Sequence, residues 1–201
     1  MESDMGALAK RNRDWTAEGF AAWAARQDVP YEYDGNDPQM MTGAYWPHNK
    51  VVRNIADALK PHLVGTAYDV FGPQDLIRTV GEVSRAPDVF VAPRLSGRPK
   101  IRFIPDAVVV IEVVSDNRDL DYITKLIEYE QVPTILRYVI VEQDEVGYAM
   151  WSRERGDLPF APSTSERSTS GELERVKLIP IPEVGVALPL AAVYSDLGMV
   201  P

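Results

Sequence analysis

A glutamate stands inside an apolar run. Residues Asp106-Ala-Val-Val-Val-Ile-Glu112-Val-Val-Ser115 read as a Val- and Ile-rich strand, bounded by Pro105 and by Ser115-Asp116-Asn117, of the kind buried on both faces. Burying an ionised carboxylate costs on the order of several kcal/mol unless a cation or donor compensates, so Glu112 requires partners. Two stretches offer them. Arg85-Ala-Pro-Asp88-Val-Phe-Val-Ala-Pro93 is a second β-branched and aromatic run, and its Pro-Asp pair sets Asp88 at the mouth of a neighbouring strand. Downstream, Tyr122, Ile123, Leu126 and Ile127 have helical spacing, which puts Lys125 on the helix that leaves the strand of Glu112. Carboxylates on neighbouring strands can clamp a hard divalent cation such as Mg²⁺. A nearby ammonium can polarise an attacking water or stabilise a phosphorane-like charge. This is the chemistry of metal-assisted phosphodiester hydrolysis.

Each of these residues has a competing reading. Asp106 also follows a proline, but six residues of extended chain would hold it about 20 Å from Glu112, too far to share one ion, so Asp88 is the better first acid. Asp121 and Lys125 have the i, i+4 spacing of an ordinary surface ion pair. Glu32, in Tyr31-Glu-Tyr-Asp-Gly35, reads as an exposed strand glutamate or as a third acid of the site. His48 opens a helix, and its imidazole either caps and packs or points into a cleft toward phosphate or a metal-bound water. Arg94, Arg98, Lys100 and Arg102 place four cations in nine residues between the two acid-bearing strands; they read equally as a solvated hairpin loop or as phosphate contacts.

The elements that must position these groups follow from periodicity. Thr16 is suited to cap a helix running to about Arg26. Val51, Val52, Ile55, Leu59 and Leu63 form one apolar stripe of a helix from His48 to Leu63. Ala67–Phe71 and Leu76–Val80 read as a hairpin leading into Asp88, Arg137–Val141 and Gly147–Ser152 as a second hairpin, and Val176 onward as edge strands with a short final helix. Residues 1–14 are expected to be a flexible terminus and 153–171 a mobile loop within one domain spanning 15–201. The order of elements predicts an α/β domain with a mixed central sheet flanked by helices.

At Pro87-Asp88, Val-Ile-Glu112-Val-Val-Ser115, Asp121, Lys125 and Tyr129 the sequence resembles the Uma-two type restriction-endonuclease family, a branch of the PD-(D/E)XK nuclease superfamily. Trp15-Thr-Ala-Glu-Gly-Phe20, Tyr31-Glu-Tyr-Asp-Gly35, Met40-Met-Thr-Gly43, the His48 helix, Val132-Pro133 with Arg137–Val141, and Leu188–Tyr194 extend the likeness over most of the chain. The resemblance implies a restriction-endonuclease-like core and a Mg²⁺- or Mn²⁺-dependent endonuclease acting on DNA. Asp88, Glu112 and the Val113 carbonyl would hold the metal, and Tyr129 would be a cleft wall or packing residue. The sequence departs from the superfamily pattern in two places. The lysine expected two residues after the second acid is Val114 here, so its role falls on Lys125 of the following helix. The loop after the glutamate reads Ser115-Asp116-Asn117-Arg118 in place of Ser-Pro-Ser-Thr.

Composition constrains the rest. The chain has no cysteine, which removes thiolate metal sites and fits a reducing cytoplasm. It shows no apolar stretch of about 20 residues, as a membrane span would need. Its net charge of -9 runs against general nucleic-acid binding, though not against a local basic groove. That charge and the altered loop leave open a second reading: an inactive nuclease-fold module that binds nucleic acid or a protein. A homodimer would suit an enzyme that cuts both strands of a duplex.

Overall fold

The computed structural model describes residues 15–41, 44–97, 99–114, 119–167 and 178–199. The terminus 1–14, Arg98, the loop 115–118 and residues 168–177 lie outside them, as do the side chains of 119–122, Asp121 among them. The first helix, α1, spans Ala17–Ala24, and the Thr16 hydroxyl accepts a hydrogen bond from the Gly19 N–H at its start. Its buried Phe20 stacks on Tyr33 of β1, Tyr31–Tyr33, which pairs antiparallel with β2, Pro38–Met40. The turn between them is closed by Asp34, which accepts from the N–H groups of Asn36 and Asp37.

Helix α2, Trp46–Leu63, carries Pro47 in its first turn and buries Val51, Val52, Ile55, Leu59 and Leu63, the stripe expected from their spacing. Strand β3, Tyr68–Phe71, then pairs with β6, Val89–Pro93, with Phe71 stacked on Phe90 at 5.3 Å. The expected hairpin with Leu76–Val80 does not form. A turn in which the Gly72 N–H donates to Asp75 sends the chain into a second sheet, where only Ile77–Arg78 is strand, β4. It pairs with β5, Ser84–Arg85, and β5 pairs with β1, giving a four-stranded sheet ordered β2-β1-β5-β4.

The main sheet is built around the run that holds the glutamate. Strand β7, Val109–Val114, pairs antiparallel with β6 and, after helix α3 (Asp119–Glu130), parallel with β8, Arg137–Glu142. Strands β9, Gly147–Ser152, and β10, Ala161–Arg167, complete a six-stranded mixed sheet ordered β10-β9-β8-β7-β6-β3. Part of the stretch read as a loop is therefore an edge strand, where Pro162 is tolerated because edge N–H positions need no partner. Alternation along β7 sends Val109, Ile111 and Val113 to the core beneath α2, and Val110 and Val114 to the core of Tyr129, Ile135 and Tyr138 beneath α3. Glu112 shares the second face. The strand begins only at Val109; Asp106, which the sequence places at its start, sits in a left-handed turn with φ 56°.

Strands β11, Leu178–Ile181, and β12, Val186–Pro189, form a hairpin packed on α2, followed by the short helix α4, Leu190–Val193. No described helix is long and apolar enough to cross a membrane.

The segment after β9 is tied down by one buried cation. The Arg153 guanidinium donates to the carbonyls of Glu130, Val132, Ile135, Gly156 and Leu158, so it gathers the C-terminal end of α3 and the turn after β9 around itself. The approach leaves no room at Gly156, where a Cβ would lie 2.0 Å from the Pro133 carbonyl oxygen. Gly156→Ala is expected to cost about 1–3 kcal/mol through backbone displacement. Thermal denaturation checks this, and an unchanged melting temperature would show that the turn yields freely.

Candidate active site

The antiparallel register of β6 and β7 pairs Val89 with Ile111, and one step further along it Asp88 faces Glu112. Pro87 and Asp88 sit where the ladder ends. There the Asp88 carboxylate takes the place of a strand partner, its Oδ2 accepting from the Val113 N–H at 2.9 Å, while the Asp88 N–H reaches Glu112 Oε2 at 3.4 Å. Each acid is thus held by backbone at the C-terminal end of β7.

Helix α3 supplies the compensation that Glu112 requires. Lys125 Nζ lies 3.2 Å from Glu112 Oε1, and the Tyr129 hydroxyl donates to the same oxygen at 2.8 Å. Lys125 faces the sheet, its side chain 12% exposed, with Glu112 and Glu32 within reach; the side chain of Asp121, its helical i-4 neighbour, lies outside the described residues. Val114, in the position where the superfamily pattern has lysine, packs in the core beneath α3. From the other face, His48 in the first turn of α2 brings Nε2 to 3.2 Å from Asp88 Oδ2 and 3.0 Å from the Val113 carbonyl oxygen.

Glu32 is not exposed. It is 7% accessible, accepts from the Ala86 N–H at 3.0 Å and from Arg85 at 3.2 Å, and lies 3.8 Å from Lys125 Nζ. The alternation Tyr-Glu-Tyr in β1 does not expose it, because the strand lies between α1 on one side and α3 with the main sheet on the other. Arg85 and Glu128 were not singled out from the sequence. The Arg85 guanidinium forms a two-pronged pair with Glu128 at 2.7 Å on both oxygens and also holds Glu32. The one available signal was the charge itself, an arginine two residues before a Pro-Asp strand start.

Two members of the basic segment, Arg94 and Arg102, are held by carbonyls away from the acids; Arg98 lies outside the described residues. Arg94 pairs with Asp69 and donates to the Tyr68 carbonyl at the start of β3 and to the Leu63 carbonyl at the C-terminal end of α2. His48 stands at the other end, about 22 Å away at 1.5 Å per residue. Arg102 donates to the Ala21 carbonyl at the end of α1, and Lys100 is exposed.

Charge and burial act together on the site. Burial pushes the Glu112 carboxyl up to about 7; Asp88 and Glu32 add to the rise, while Lys125 and the Tyr129 hydrogen bond oppose it. Burial pulls His48 down, but the hydrogen bond and charge of Asp88 outweigh it and the imidazole is raised. Burial, with the charge of Glu112, holds the Tyr129 hydroxyl well above its usual range, so it remains a donor. Burial works against the Arg85 charge, yet Glu128 and Glu32 raise it further.

Both the Glu112 and the His48 shifts mean that the native state holds protons the unfolded chain has released. Stability therefore falls as pH rises through the window. For Glu112 the window runs from 4.5 to about 7, and for His48 it runs upward from 6.5. The urea midpoint of the metal-free protein is expected to decline from pH 4.5 through 7, and Glu112→Gln to flatten the lower part of that decline. A midpoint rising across the window would contradict both assignments.

Four carboxylates, Glu32, Asp88, Glu112 and Glu128, meet two fixed cations, Lys125 and Arg85, with His48 a third when protonated. The cluster carries excess negative charge, and Asp88 Oδ1 accepts no hydrogen bond among the described residues. Among the described residues no three His, Cys, Asp or Glu side chains form a ligand cluster. Among the described residues, the Asp88 and Glu112 carboxylates and the Val113 carbonyl are the oxygens that meet at the end of β7. Such a sparse, hard oxygen set fits an ion that keeps much of its water, as Mg²⁺ does, better than one caged by protein ligands.

The fold is shared with a solved structure. A structure described as a putative nuclease belonging to DUF820, from Anabaena variabilis ATCC 29413, superposes with a TM-score of 0.64 at 16% identity, covering 90% of this chain and 98% of that one. Among curated proteins none matches the sequence. The family model described as "Uma2: Putative restriction endonuclease" matches residues 17–184. That match takes in Glu32, His48, Arg85, Asp88, Glu112, Lys125 and Tyr129, every side chain that meets at the acids, and the chain belongs to the Uma2 family of putative restriction endonucleases.

Proposed function

We propose that this protein is a divalent-metal-dependent endonuclease that hydrolyses DNA phosphodiester bonds. The observation that carries the reading is the meeting of Asp88, Glu112 and the Val113 carbonyl at one end of β7 with the Lys125 ammonium 3.2 Å from Glu112, in a chain of this family. Asp88, Glu112 and the Val113 carbonyl would hold Mg²⁺ or Mn²⁺. When bound, the cation supplies charge neutralisation at the phosphate and a more acidic water. Lys125 orients the attacking water and offsets the negative charge that builds on the phosphoryl oxygens. Tyr129 fixes one oxygen of Glu112, so the carboxylate presents the other. Water adds to phosphorus, the opposite P–O bond breaks, one proton is lost to solvent, and the leaving oxygen takes up a proton to give a hydroxyl beside a phosphate monoester. His48 holds Asp88 and the Val113 carbonyl in register with each other. With no cysteine to oxidise, the chain suits work on DNA in the cytoplasm, and two copies would serve to cut both strands.

One observation favours a second reading, an inactive nuclease-fold module. The acids are already partnered within the chain, Glu112 by Lys125 and Tyr129, and Asp88 by His48 and the Val113 N–H. Incubation of supercoiled plasmid with Mg²⁺ or Mn²⁺ separates the two readings. Nicking by the wild type that Glu112→Ala abolishes supports the nuclease. A wild type that leaves the plasmid intact, or cutting unchanged by the substitution, supports the module.

A further inference from the structure

Helix α2 carries a polar face that the site does not use. Asn49, Arg53, Ala56 and Lys60, spaced i, i+4, i+7 and i+11, form one stripe beside the buried one. The stripe is one wall of a cavity of about 380 Å³, and the facing wall is the end of β3 and its turn, with Val70, Phe71 and Pro73. Asp88 closes the cavity at the end where the acids meet. The groove therefore opens into the site rather than standing apart from it. From Asn49 to Lys60 it runs about 16 Å at 1.5 Å per residue, and a duplex strand presents a phosphate about every 3.4 Å.

Its charge is opposite to that of the chain. Of the charged residues that line it, Arg53 and Lys60 face a single acid, Asp88, in a protein of net charge -9; Lys50 on the same helix pairs with Asp196 instead. Arg53 is exposed and forms no ion pair or hydrogen bond among the described residues, and Lys60 pairs only with exposed Asp57 at 3.6 Å. Arg94 and Arg102, by contrast, are committed to carbonyls elsewhere. A solvated helix face would need neither an apolar wall opposite it nor a catalytic carboxylate at its end.

We infer that this groove seats the DNA strand that leads into the acids, with Arg53 and Lys60 on separate phosphates and the Val70–Phe71–Pro73 wall against sugar and base. The inference rests on the nuclease reading and names where its substrate lies. Phosphate contacts of this kind position the strand without reading sequence.

The test is binding of a short fluorescein-labelled DNA duplex by wild type and by Arg53→Ala/Lys60→Ala, by anisotropy in Ca²⁺ over a range of salt, with plasmid nicking in Mg²⁺ alongside. Both residues are exposed, and matching thermal melts will show that the variant is folded. Losing two phosphate contacts is expected to flatten the slope of log K against log salt by about 1.8, at about 0.9 per contact. KM should rise while kcat holds, and Arg53→Lys/Lys60→Arg should restore the slope. If wild type nicks plasmid and the alanine variant binds with the same slope and affinity, the groove assignment falls and the nuclease reading stands. If wild type neither binds the duplex nor nicks, both fall.

Discussion

Lys125→Ala is expected to lower Mg²⁺-dependent nicking by about 10²–10⁴-fold while leaving KM nearly unchanged. The range is the one typical of removing a single group that positions a proton or offsets transition-state charge in an enclosed site. Lys125 is 12% exposed and lies 3.2 Å from Glu112, so few waters are placed to substitute for its charge. The substitution should also mark the pH profile. Lys125 is the largest influence opposing the rise of Glu112 toward about 7; without it the carboxyl rises further, and the acid limb of the rate profile moves to higher pH. Mn²⁺ titration calorimetry on the same variant isolates the cause. Retained metal binding with lost turnover assigns Lys125 to the chemistry. Loss of both would make it a residue that holds the carboxylate in place, and unchanged turnover would remove it from the mechanism.

Arg85→Met should produce the largest loss of stability. The guanidinium is 4% accessible and is the principal partner of Glu32 and Glu128. Its removal leaves buried Glu32 and half-buried Glu128 without their shared cation, with Lys125 3.8 Å from Glu32 and already engaged by Glu112. Breaking a buried pair in this way costs about 3–5 kcal/mol, because the abandoned charge remains in the interior. For a chain of this length that corresponds to a fall in melting temperature of about 6–20 °C. Adding Glu32→Gln and Glu128→Gln should recover most of the loss, since replacing a whole buried network is far less damaging than removing one member. A melting temperature within about 1 °C of wild type for the single variant would show that water enters the cluster and screens it.

The parts of the site carried by strand pattern were legible in the sequence. A charged residue within Val-Val-Val-Ile-Glu112-Val-Val has few structural uses, and a Pro-Asp pair opening a second apolar run gives it a neighbour. The structure places Asp88 one step along the register from the Val89–Ile111 pair. Lys125 was different. Spacing alone assigned it to the solvent side with Asp121, and only the resemblance turned it inward. Glu32 and the Arg85–Glu128 pair depend on how the small sheet leans on the main one, a contact between residues 53 and 43 positions apart, which no local periodicity encodes. The strand Ala161–Arg167 was hidden by its Pro, Ser and Thr content, because edge strands accept residues that central strands exclude. Arg153 reads in the sequence as one more surface cation; its five carbonyl partners come from two separate stretches of chain, 130–135 and 156–158.

Three backbone N–H groups, those of Ala86, Asp88 and Val113, donate to the carboxylates of Glu32, Glu112 and Asp88 respectively. Each acid is thereby tied to the sheet framework as well as to a neighbouring side chain. The rotamer entropy of the three carboxylates is lost when the strands assemble, and none of it remains to be lost when a ligand arrives. The acids are preorganised to the tolerance of a β-ladder, a fraction of an ångström. A glutamate at position 88, longer by one methylene, would keep the charge and forfeit that placement.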